Sequence, residues 1–132
     1  MRYLLAWGAS ALVFLLMDGV WLTVMGNRLY RPVLGDMMTA KVNLPAAILF
    51  YLVFITGLTF LATAPAIREA SALKAVINAA VFGFAAYATY DLTNQATLAR
   101  WSTVLTLSDL AWGTTVSVVA ALSGYYASRL IA

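Results

Sequence analysis

Three aspartates interrupt apolar runs of this sequence: Asp18 in "LLMDGVWL", Asp91 in "ATYDLTNQ" and Asp109 in "TLSDLAWG". A carboxyl group can carry a proton, act as a general acid or base, or hold a cation. An ionised one at depth in a bilayer costs about 2.5 to 3.5 kcal/mol on insertion scales, so such residues mark a pathway, a relay or a ligand site by default. Their neighbours are of matching types. Tyr87, Tyr90, Thr93 and Asn94 lie within about one helical turn of Asp91, and Trp21 and Trp112 each follow an aspartate by three residues, giving a D-x-x-W unit twice. The simpler use for these acids is neutral hydrogen bonding between helices, with Asn94, Tyr87, Thr93 and Thr106 as partners. Serine and asparagine would do that at lower desolvation cost, which favours a functional polar site.

The chain has no cysteine and no histidine. That excludes disulfides, thiolate chemistry, Cys/His zinc sites, His-ligated haem and an imidazole base. Proton chemistry therefore rests on carboxylates, tyrosines or lysines, and no cofactor or bound metal is expected. The net charge of +3 comes from basic residues scattered along the chain, without the cluster that nucleic-acid binding requires.

The elements that must position these residues follow from composition. At 64% hydrophobic and 10% charged residues, the 132-residue chain reads as an integral membrane protein. A helix needs roughly 20 apolar residues to cross a bilayer, so about four spans fit and one domain, 1–132, is expected. The predicted spans are 3–25, 44–64, 75–98 and 103–128. The first is too long for a signal peptide and lacks a convincing small-residue cleavage site. Residues 26–43, with a proline and two glycines, read as a loop whose "VLGDMM" part lies in the interface as a short amphipathic turn. Asn43 and Pro45 start the second span, Pro65 stops it, and Ser102 caps the fourth. Continuous apolar runs rule against the alternation of β-barrel spans. The fold class is all-α, an integral membrane four-helix bundle with both termini on one side.

On that frame Asp18, Asp91 and Asp109 lie roughly 9 to 11 Å inside the same surface at 1.5 Å per residue. They share one layer. Asp36 and Glu69 fall in connections and read as solvated charges. Helical spacing puts Gly83, Tyr87, Asp91 and Asn94 on one face, Ser10, Phe14, Asp18 and Trp21 on another, and Thr106, Asp109, Trp112 and Gly113 on a third. The two D-x-x-W units sit on helices of opposite direction, but four residues are too few to establish inverted symmetry. Gly83, Gly113, Ser117 and Gly124 are small residues that permit close helix contact. Tyr3, Trp7, Tyr125 and Tyr126 belong to the interface at the termini side and Trp101 to the opposite one.

The strings "ATYDLTNQATLARW", "TLSDLAWGT", "MDGVWL" and "NLPAAILFYLVFITGL" resemble an uncharacterised family of small bacterial membrane proteins known as domain of unknown function 2177. The likeness covers nearly the whole chain, and Y-D-L-T-N and D-L-A-W-G are its most specific parts. It implies four spans and, with a bacterial source, the inner membrane. No activity comes with it.

Three function classes fit the acidic layer. One is proton-linked binding or transport of a small cation or an amphipathic cation, with Asp91 the central acceptor and the tryptophan faces suited to a cation. The second is an accessory subunit of a larger membrane complex, and the third a membrane enzyme acting on a lipid or isoprenoid. Beyond the lipid bilayer, a small cation or lipid ligand and a homodimer or larger complex are the partners open to such a chain. Orientation is nearly undetermined, because Arg2, Arg68, Lys74 and Arg129 on the termini side balance Arg28, Arg31, Lys41 and Arg100 on the other. The N-terminal amine tips it toward both ends in the cytoplasm, with dual insertion open.

Overall fold

A computed structural model describes residues 1–39 and 41–131. The chain is an all-α bundle of four helices, each long and apolar enough to cross a membrane. Helix α1 (Arg2–Met25) continues through a π-helical turn (Gly26–Tyr30) into α2 (Arg31–Leu34) and a 3₁₀ turn (Gly35–Met37). Helix α3 (Leu44–Leu58) passes through a second π turn (Thr59–Thr63) into α4 (Ala64–Glu69). Helices α5 (Ala72–Thr97) and α6 (Thr103–Ser128) are unbroken.

Two local expectations are corrected here. Residues 26–37 are helical rather than loop, because the only proline among them, Pro32, occupies the first turn of α2, where its missing N–H is not needed. Pro65 likewise sits in the first turn of α4 and does not end the second span, since the π turn before it has already interrupted the regular ladder. The stop comes five residues later at Ala70, in the left-handed conformation (φ 51°). The side chains of Asn43, Ser71 and Ser102 accept from the first free backbone N–H groups of α3, α5 and α6.

Helix α6 is the most buried of the four and packs against both α1 and α5. Small side chains make that possible. A Cβ on Gly83 of α5 would collide with the Ser117 side chain and the Gly113 carbonyl of α6, and one on Gly124 would collide with Ser10 of α1. Ser10 Oγ donates to the Ala120 carbonyl at 2.9 Å across this seam. Phe14, Phe54, Ile55, Leu58, Ala79, Val116 and Ala120 fill the centre. Leu12, Leu16, Val20, Ile48, Phe60, Leu73, Val81 and Leu107 are exposed, an apolar surface of the kind a lipid bilayer covers.

Packing is uneven along the second span. The buried residues Phe54, Ile55, Leu58, Thr59, Ala62 and Thr63 occupy its middle, whereas Leu44, Ile48, Leu49, Phe50, Leu52 and Val53 are exposed. Its first half therefore stands off from the bundle. The space left between it and the prolonged first helix is lined by Asp18 and Asp109.

Candidate functional site

The standing-off half of α3, the prolonged first helix and the facing parts of α5 and α6 enclose a cavity of about 820 Å³. Asp18, Trp21, Tyr87, Tyr90, Asp109 and Trp112 are in its wall, with Phe50 and Phe54 from α3 and the apolar residues Leu22, Leu34, Met38 and Val42. Asp91, Thr93 and Asn94 are not. Arg31 is the single basic residue of the lining, exposed at its edge, so two acids face one base.

The two D-x-x-W units interlock. The indole of Trp112 donates to Asp18 Oδ1 at 3.2 Å, and that of Trp21 donates to the Tyr30 hydroxyl at 2.9 Å, which in turn donates to Asp109. Each tryptophan thus serves the aspartate of the other helix, directly in one case and through Tyr30 in the other. The rings stack between the two acids, with centroids 4.6 Å apart and planes 7° from parallel. The short repeat that could not establish symmetry by itself becomes, in three dimensions, a reciprocal pair on antiparallel helices. Asp18 also accepts from the Tyr51 hydroxyl at 2.6 Å. It therefore has a donor on each of its two oxygens.

Asp91 is set differently. It is fully buried, no hydroxyl or N–H donates to either carboxyl oxygen among the described residues, and the carboxyl of Asp109 is its hydrogen-bonding neighbour. Asp109 itself faces the cavity. Tyr87 packs its ring over Gly113, where any Cβ would collide with it, and this brings α5 close to α6 at the level of the acids.

The other expected residues divide. Tyr90 is at the cavity edge and stacks edge-on with Trp101 at 5.8 Å. The Thr93 hydroxyl donates to the Thr89 carbonyl of its own helix and is exposed, and Asn94 is half-buried outside the cavity wall. Thr106 does not meet an aspartate. It donates to Gln95 at 2.7 Å and accepts from the Trp101 indole at 2.9 Å, forming a separate polar knot at the α5–α6 turn. Among the described residues no three acidic side chains converge closely enough to hold a metal ion. Gly83, Gly113, Ser117 and Gly124 are all buried in helix contacts.

The chain belongs to the DUF2177 family of predicted membrane proteins. The family pattern matches residues 3–126, which takes in all three aspartates, both tryptophans and the whole cavity wall. No curated protein and no solved structure matches the chain. The DUF2177 match and the four apolar helices agree on a multi-pass membrane protein; the family description carries no activity.

Reading the sequence missed two members of the site, Tyr30 and Tyr51. Tyr51 had a usable signal, since it precedes Phe54, Ile55 and Leu58 by three, four and seven residues and so shares their buried stripe. Tyr30 had none while its segment read as loop. The π turn that carries it past Met25 is what aims it at Asp109.

Proposed function

We propose that this DUF2177 protein binds an amphipathic organic cation in its intramembrane cavity in exchange for a proton. The observation that carries the reading is the cavity itself: about 820 Å³, walled by stacked indoles, with Asp18 and Asp109 presented to it. That volume is of ligand size rather than ion size, and the lack of a three-acid convergence weighs against a bare metal cation. Aromatic faces attract an organic cation, and the apolar lining of Leu22, Leu34, Met38 and Val42 suits its hydrophobic part.

The two acids have separate roles in this reading. Asp18, held by Tyr51 and Trp112, is the standing negative charge. Asp109, backed by Asp91, shares a proton with it and gives that proton up when the cation arrives. The protein then sits in a bacterial inner membrane with both termini cytoplasmic, and works as a binder or carrier of such cations.

The test is tetraphenylphosphonium binding to the purified chain, read by quenching of tryptophan fluorescence across a pH series. One-for-one exchange makes affinity rise by up to about tenfold per pH unit over the range where the proton is displaced. Absence of binding at every pH, or binding indifferent to pH, rejects the proposal.

One observation favours a second reading. The cavity lining also includes the apolar residues Leu22, Leu34, Met38 and Val42, together with Phe50 of the exposed half of α3, a lining that also suits an acyl or isoprenoid chain. An enzyme acting on lipid would use the same acids as acid and base. Chemical turnover of an extracted lipid, absent in Asp109→Asn, would decide for it.

A further inference from the structure

At the opposite end of the bundle, three chain segments leave a second hollow. It has a volume of about 230 Å³ and is lined by Arg2 from the start of α1, Ile67 and Ala70 from the end of the second span, and Tyr125, Ser128 and Arg129 from the end of α6. The two guanidinium groups come from residues 127 positions apart in sequence, brought together because α1 begins where α6 finishes.

The chemistry of this hollow is one-sided. Arg129 Nη1 donates to the Tyr125 hydroxyl at 2.9 Å, and its guanidinium lies 5.7 Å from the centre of that ring. Because Tyr125 is buried and its oxygen accepts from Arg129, its own proton is left to donate. The remaining N–H groups of Arg129 and those of Arg2 are further donors. Among the described residues neither arginine meets a carboxylate, and the nearby acid, Glu69, is taken by Lys74 at 2.6 Å. Ser128 Oγ turns away to the Tyr125 carbonyl at 2.6 Å. What remains is a small concave set of donors with a net positive charge, an arrangement that recognises a phosphate group through paired guanidinium hydrogen bonds.

We propose that this hollow is a phosphate-anion site, filled in the membrane by the headgroup of an anionic phospholipid. Its place argues for the lipid source. Leu4 and Leu130, close to the two arginines in sequence, are exposed, as are Tyr126 and Ile131. Acyl chains would cover that apolar surface while the headgroup meets the arginines, which is how basic residues at helix ends engage anionic lipid. The site is independent of the aspartate cavity and of any cation exchange.

The experiment titrates short-chain phosphatidylglycerol into the detergent-solubilised full chain and follows its melting midpoint. Short-chain diacylglycerol, which lacks the phosphate, and inorganic phosphate are run in parallel. Phosphatidylglycerol raises the midpoint saturably in the wild type, with half-saturation weakened about fivefold by each of Arg2→Gln and Arg129→Gln. Arg129→Lys, which keeps the charge but loses the paired guanidinium geometry, binds between the wild type and Arg129→Gln and guards against a simple folding defect. A response to inorganic phosphate as large as that to the lipid upholds the anion site and assigns it to free phosphate. An equal shift with diacylglycerol, or equal half-saturation in the wild type and in the double Gln variant, overturns it.

Discussion

Asp91 is buried beside Asp109 and receives no hydroxyl or N–H hydrogen bond among the described residues. Asp18 is in the opposite situation, its two oxygens met by Tyr51 and Trp112. In the proposed cation exchange the first would hold the proton together with Asp109 and the second would supply the standing charge. Asp91→Asn should leave a folded protein, since an amide at this place removes the need to bury a proton-dependent group. Its melting in detergent should stay level or rise, within about 1 kcal/mol, while cation binding loses its pH dependence. Asp18→Asn should instead weaken binding at every pH and leave the slope intact. If Asp91→Asn unfolds the chain, or if both variants keep the wild-type pH response, the division of roles is wrong. Which aspartate would be buried without hydroxyl or N–H donors was not legible in the sequence. Asp91 has Tyr87, Tyr90, Thr93 and Asn94 around it there, yet Thr93 bonds its own helix and Asn94 is outside the cavity wall.

Among the elements, α5 and α6 approach most closely, and a glycine makes the contact. Adding a methyl group at Gly83 forces it into Ser117 and the Gly113 carbonyl, and neither can retreat without separating the helices. Gly83→Ala should cost about 1 to 3 kcal/mol, as overpacked contacts do. Gly8→Ala is the matched control, because nothing lies within 4 Å of a Cβ there, and it should be neutral or stabilising. Unfolding of the two variants by titration with denaturing detergent is the measurement. Equal stability would mean that the α5–α6 seam is looser than described. Element boundaries were legible where a capping side chain announces them, as at Asn43 and Ser102. They were not legible at the two π turns. An extra residue in a helical turn is a response to packing on both sides, and leaves no periodic mark in a single sequence.

At the scale of the whole molecule, the cavity exists because the second span is held at its middle and released at its start, while the first helix runs on past the level of the acids. The stacked tryptophans bridge α1 and α6 in that space. Cysteines replacing Trp21 and Trp112 in this naturally cysteine-free chain should crosslink in membranes with a short reagent. A pair at positions 21 and 125, separated along α6 by thirteen residues or about 20 Å from the stack, should not. Equal crosslinking of both pairs would disprove the interlocked arrangement. By itself the sequence determined the class of this protein and its four helices, with an aspartate within each of three of them. Apolar length and helical spacing are local properties, and a bilayer leaves few ways to satisfy a backbone. Only the tertiary structure decided that each tryptophan serves the other helix's aspartate, that Tyr30 and Tyr51 join the site, and that Asp91 lies behind the cavity without a hydroxyl or N–H donor. Those depend on how far helices stand apart and how they are turned about their axes, which long-range packing sets and no single span encodes.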